Sequence, residues 1–136
     1  MVTDEKTGKI KGCFPLKDKM LGVGWIAVYQ DILVNIAKLN LNNEVYRVFL
    51  ALLGKAEYDN YLLVSQKDLS QELEMKQPAI SRAIKKLCDL EFLVEGPRIG
   101  LNKTYKVNPH IAHKGKNREQ TIVDFETAMK NKNKEN

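Results

Sequence analysis

Apolar residues recur along this chain with two different periods, and each change of period marks a new element. From Trp25 onward, Tyr29, Ile32, Leu33, Ile36 and Ala37 fall at i, i+3, i+4, i+7 spacing, the single stripe of an amphipathic helix. Asn40 to Asn43 interrupt it, and Asn42 or Asn43 supplies the cap of a second helix. On that helix Val45, Val48, Phe49, Leu52 and Leu53 share a face, and Gly54 lies near its end. Asp59 and Asn60 mark a turn, after which Leu62 and Val64 alternate with their neighbours as a short strand does.

The stretch from Val64 to Leu93 is the most regular. Ser65-x-x-Asp68 is a variant of the capping box, in which the hydroxyl accepts from an otherwise unpaired backbone N–H. Leu69 and Leu73 face inward, the helix stops near Glu74, and Met75 packs beneath a tight turn. Pro78 suits the first turn of the next helix, where a missing N–H costs nothing, and Gln77 is the expected cap. Ile80, Ala83, Ile84 and Leu87 then form an inward stripe. At about 100° per residue, Arg82, Lys85 and Asp89 fall opposite that stripe, with Ser81 and Lys86 on its flanks. Two short helices and a tight turn make a helix-turn-helix. Period-two alternation follows at once. Leu93 to Glu95 reads as a strand, Gly96-Pro97 opens a turn, Gly100 and Asn102 follow, and Lys103 to Val107 returns as a second strand that Pro109 ends. A β-ribbon after a helix-turn-helix is a wing. The expected fold is mostly α with a small β-wing, a winged helix-turn-helix DNA-binding domain.

Three segments follow from this pattern: a flexible N-terminal segment over 1–24, the winged helix-turn-helix domain over 25–112, and a charged tail over 113–136. In the tail Ile122, Phe125 and Met129 share one helical side, which suits either a docking or dimerisation helix or a weak helix that frays.

Charge sharpens the picture because of where it lies. The chain of 136 residues carries a net +5, and residues 76–106 hold seven basic against three acidic side chains, a local +4. A basic surface confined to one helix and one hairpin is what phosphate binding needs; the bland alternative is a solvated face without a partner. No apolar run is long enough to span a bilayer, and the polar N-terminus lacks the apolar centre of a secretory signal, so a cytoplasmic protein with no membrane partner is expected. Cys13 and Cys88 form no CxxC pair and read as free thiols in a reducing compartment.

A helix in the major groove reads base edges with a few side chains. Here Gln77, Ser81, Arg82 and Lys85 are the candidates. Arg82 is suited to a guanine edge and Gln77 to an adenine; Ser81 and Lys86 are better placed for phosphates. Lys76, Arg98 and Lys103 add affinity that does not depend on sequence, the last two from the wing tip. The bland reading of Arg82 is a surface salt bridge to Asp89 or Glu91, worth little. Catalytic chemistry is not indicated: there is no GxxxxGK[ST] phosphate loop. His110 and His113, at i, i+3, would come together on a helix, but no cysteine or carboxylate pattern completes a metal site, and no cofactor is implied.

The run LSQELEMKQPAISRAIKKLCDLEFL resembles bacterial regulators of the multiple-antibiotic-resistance type. A more particular likeness covers about Trp25 to Lys116. The strand ending in Tyr105-x-x-Asn108-Pro109, followed by Ala112 and Lys114-Gly115, is similar to the RepL family of plasmid and phage replication proteins. That resemblance implies a non-enzymatic protein that binds an origin in double-stranded DNA and acts with host replication proteins. It places Gln77, Ala79, Ser81, Arg82 and Lys85 toward the DNA. A homodimer on repeated or palindromic sites is expected. The rival readings are a transcriptional regulator of the same fold and, more remotely, a winged helix used for protein–protein contact through the helix at Ile122 to Met129.

Overall fold

The structure, a computed structural model, describes residues 2–3, 10–11 and 24–135, with side chains from 24 to 133. Strands β1 (Val2–Thr3) and β2 (Ile10–Lys11) pair antiparallel. The remainder of the N-terminal segment, Cys13 included, lies outside the described residues, and so does the expectation of flexibility there.

The first helix starts later than its apolar pattern suggests. Ala27–Val28 forms strand β3, and helix α1 runs from Gln30 to Lys38. Of the predicted stripe only Ile36 is buried; Tyr29 and Ile32 are half-buried, while Leu33 and Ala37 face solvent. Helix α2 (Asn43–Lys55) follows the prediction closely. Asn42 caps it, its side-chain oxygen accepting from the Val45 N–H at 3.0 Å, and Val45, Val48, Phe49 and Leu52 are buried. A 3₁₀ turn over Tyr58–Asn60 leads into β4 (Tyr61–Val64), where Leu62 and Val64 are buried and Leu63 is exposed, the expected alternation.

Helix α3 (Gln66–Leu73) is capped by Ser65, whose Oγ accepts from the Asp68 N–H at 3.2 Å. Helix α4 (Gln77–Asp89) packs on α2 and α3 through Ile80, Ala83, Ile84 and Leu87, all buried. Both helices end in the same way. Glu74 and Glu91 take left-handed backbone angles, φ 54° and φ 64°. The Met75 N–H then reaches back to the Ser70 carbonyl, and the Phe92 N–H to the Leu87 carbonyl. With Glu74 N–H on Gln71 and Glu91 N–H on Cys88, each end is a Schellman motif that satisfies the last free carbonyls. The Ser70 hydroxyl also donates to the Met75 carbonyl, which locks the turn between the two helices.

Strands β5 (Leu93–Ile99) and β6 (Asn102–Val107) form a hairpin longer than the sequence suggested. The register pairs Leu93 with Val107 and Arg98 with Lys103, with a shift between Glu95 and Arg98. Gly96-Pro97 is therefore a bulge within the strand, not the turn. A Cβ on Gly96 would lie 2.7 Å from the Thr104 hydroxyl oxygen, which itself donates to the Pro97 carbonyl, so glycine is required for that close approach. The turn is Gly100-Leu101, with Gly100 at φ 63°, the positive angle that the first residue of a two-residue type II′ hairpin loop takes. Strand β6 is central: β4 pairs with its other edge, giving the order β4-β6-β5.

The segment expected as a charged tail is largely helical over its described residues. Ala112–His113 is strand β7, paired with β3, and α5 runs from Arg118 to Glu135. Asn117 caps α5 by accepting from the Gln120 N–H at 3.1 Å. The helix folds back on β5 and the 3₁₀ turn and buries Phe125 and Thr121. The described residues are a mixture of helices and small antiparallel sheets around one apolar core, and none of the described helices is long and apolar enough to cross a membrane.

Candidate nucleic-acid interface

Helix α4 owes its two-sided character to its sequence. Once Ala79, Ile80, Ala83, Ile84 and Leu87 are committed to the core, most of the remaining positions fall in two i, i+4 rows along the outer surface, the first of them ending on the exposed Asp89. One row is Gln77, Ser81 and Lys85; the other is Pro78, Arg82 and Lys86. All six residues are exposed.

The first row faces the hairpin. Gln77 and Ser81 line a groove of about 520 Å³ together with Arg98 and Lys103 of the hairpin, Ser65 and, from α3, Lys67. Four of the residues singled out in the sequence, two from the helix and two from the hairpin, therefore meet across one open, polar groove. The second row faces the start of α2. Arg82 and Lys86 border a hollow with Leu39 to Asn42, and Arg82 and Lys76 border another with Asn43 and Arg47.

The cations are free to move to a partner. Arg82 Nη2 stands 3.8 Å from Glu44 Oε2, not beside Asp89 or Glu91, and both side chains are largely exposed. Lys103 Nζ is 3.5 Å from Glu95 Oε1. Exposed pairs of this kind contribute about 0–1 kcal/mol, so either cation exchanges its carboxylate for a phosphate at small cost. Arg47 is committed elsewhere: it donates to the Leu73 carbonyl and ties α2 to the end of α3.

Ala79, which the family resemblance placed toward DNA, is 7 % exposed and borders the hollow shared by Arg82 and Lys76. One expectation is corrected. Gln77 is not the cap of α4. Lys76 occupies that position, with extended angles and no side-chain cap bond, and Gln77 is the first helical residue. This frees the Gln77 amide for the groove. The two histidines also separate: His110 is exposed, 3.6 Å from Glu126, while His113 is buried in β7 with Thr121 Oγ1 at 3.2 Å.

Sequence reasoning missed Lys67 and Leu101. Lys67 belongs to the groove because β4 pairs with β6 and sets Val64, just before α3, opposite Lys103, a long-range event that no local period announces. Leu101 sits in the hairpin loop and is 97 % exposed.

The residues that carry the RepL likeness do structural work. Asn108 Nδ2 donates to the Glu91 carbonyl at 2.8 Å, and its Oδ1 accepts from the His110 N–H at 2.9 Å. Pro109 and Ala112 are fully buried, and a Cβ on Gly115 would meet Asp59 Oδ1 at 2.9 Å. Tyr105, which opens the same run, is buried in β6 and lines the groove beside α4. Compared with protein-family models, with curated proteins and with solved structures, the chain matches none of them.

Proposed function

We propose that this chain is a winged helix-turn-helix protein that binds double-stranded DNA sequence-specifically and without catalysis. In this reading α4 enters the major groove, and the β5–β6 hairpin is the wing that follows the flanking backbone. One observation carries it: Gln77 and Ser81 of α4 share an open groove with the hairpin cations Arg98 and Lys103, and the other outer residues of α4, Arg82, Lys85 and Lys86, are exposed beside it. Gln77, Ser81, Arg82 and Lys85 are assigned to base edges, with Ser81 also within the reach of a phosphate. Lys76, Lys86, Arg98 and Lys103, joined by Lys67, are assigned to phosphates.

The likeness to RepL proteins extends the proposal to its setting: initiation at a plasmid or phage origin, with host replication proteins as partners and a second copy of the chain on repeated sites. The regulator reading uses the same interface and differs in what lies beside the bound site, an origin or a promoter.

The test is salt dependence. Fluorescence anisotropy of labelled duplexes drawn from a random-sequence pool should give a log–log plot of affinity against salt that falls linearly. In the Arg98→Ala, Lys103→Ala double variant the slope should drop by about 1 for each cation removed, equally for all sequences. A slope near zero in the wild-type protein would remove DNA as the partner. A loss confined to one base position would contradict phosphate contact by the hairpin.

A further inference from the structure

The hairpin tip carries a residue that neither its turn nor its packing explains. A two-residue loop that opens with Gly100 is ordinarily completed by a small polar residue such as Asn, Asp or Ser. Here the second loop residue is Leu101, 97 % exposed, with no apolar neighbour to cover it. Ile99, one residue before the loop, is 53 % exposed. Two branched apolar side chains therefore project from the tip of a hairpin whose next pair is Arg98 opposite Lys103. Leu101 also borders the groove that holds Gln77 and Ser81, so the tip is on the α4 side of the molecule.

Resting on the DNA-binding reading above, we propose that Leu101, backed by Ile99, inserts into the minor groove next to the segment read by α4 and wedges a base step apart, bending the duplex. The chemistry of the tip selects this occupant. A patch of one or two apolar side chains with one pair of cations behind it is too small for a stable protein interface, which buries many residues a side. A base step accepts a single branched wedge, and the phosphates that border the minor groove supply the partners for Arg98 and Lys103. Steps of the pyrimidine–purine type, which unstack most easily, are favoured opposite the tip although no side chain hydrogen-bonds to them. Leu101 is thus a specificity-determining residue that reads deformability.

The experiment uses the full chain and duplexes that it selects from a random-sequence pool. Each duplex is labelled at both ends, so that energy transfer reports the bend and anisotropy the affinity. Leu101→Ser suits the same turn and leaves the core untouched; Leu101→Phe keeps a wedge. The expected result is a bend in the wild-type complex that Leu101→Ser abolishes and Leu101→Phe retains. Affinity should fall about tenfold in Leu101→Ser, with the salt slope and the base preferences under α4 unchanged. A Leu101→Ser protein that binds and bends as the wild type does overturns the wedge and leaves the DNA-binding reading intact. Weaker binding at an unchanged bend also overturns it, because Leu101 would then contact something other than an opened step. A wild-type chain that selects no duplex overturns both.

Discussion

Asn60 shows how much one polar side chain holds together. It is fully buried, and its amide nitrogen donates to the carbonyls of Val107 at 2.9 Å and Ala112 at 2.8 Å. Its oxygen accepts from the Lys114 N–H at 2.9 Å. One residue thereby joins the end of β6, strand β7 and the approach to α5. Its left-handed angle, φ 64°, is one that asparagine tolerates better than most residues. Asn60→Ala strands two carbonyls and an N–H in the core, and the loss should be about 4 kcal/mol of stability, read by urea denaturation. The sequence marked Asn60 as a turn residue and no more, because its three partners lie about fifty residues away. Cys88 gives a second prediction at this scale. Burial pushes its thiol up from 9.0 to about 11. A thiol whose folded value is raised stays protonated in the folded state while the unfolded chain ionises, so stability falls as pH rises from about 9 to about 11 and is flat beyond. Urea midpoints over that range should fall more steeply in the wild type than in Cys88→Ala, by about 2 kcal/mol in all. Parallel curves would show that the thiol is hydrated in the folded protein.

Among the elements, those whose signals are local were legible and those closed by tertiary contacts were not. The caps at Asn42 and Ser65, the buried stripe of α4 and the alternation of β4 all follow from residues within one turn or one strand of each other. The stripe of α1 overstated its burial, since periodicity reports which residues share a side and not whether anything covers them. The hairpin turn was misplaced because Gly96-Pro97 is the stronger local signal, Gly100 being followed by Leu101 and not by a small polar residue; the pairing of Ile99 with Asn102 puts the turn at the second pair. The Schellman ends of α3 and α4 were hidden because glutamate, not glycine, takes the left-handed position. That substitution of roles is costly. Relief of the crowded Cβ outweighs the entropy that glycine loses on folding, so Glu91→Gly should stabilise the protein by about 0.5–1 kcal/mol. Thermal denaturation should show the midpoint raised by a few degrees; a lowered midpoint would mean that the Glu91 side chain contributes more than its backbone strain costs.

Over the whole molecule, folding sorts charge. The core faces of α2, α3, α4 and the sheet are turned inward, α5 closes the sheet at β5, and the outer rows of α4 stand beside the hairpin cations. Most of this surface was legible, because an amphipathic helix that must bury one side displays the other. The contribution of Lys67, the burial of Ala79 and the exposed tip at Leu101 were not, since each depends on how the elements meet. The most direct test of the account is the Arg82→Ala, Lys85→Ala double variant, titrated by anisotropy against a duplex that the wild type selects, with circular dichroism confirming the fold. The account predicts an unchanged spectrum and melting curve, and binding reduced to the level seen on unrelated sequence. A variant that still prefers the selected duplex as strongly as the wild type would contradict it.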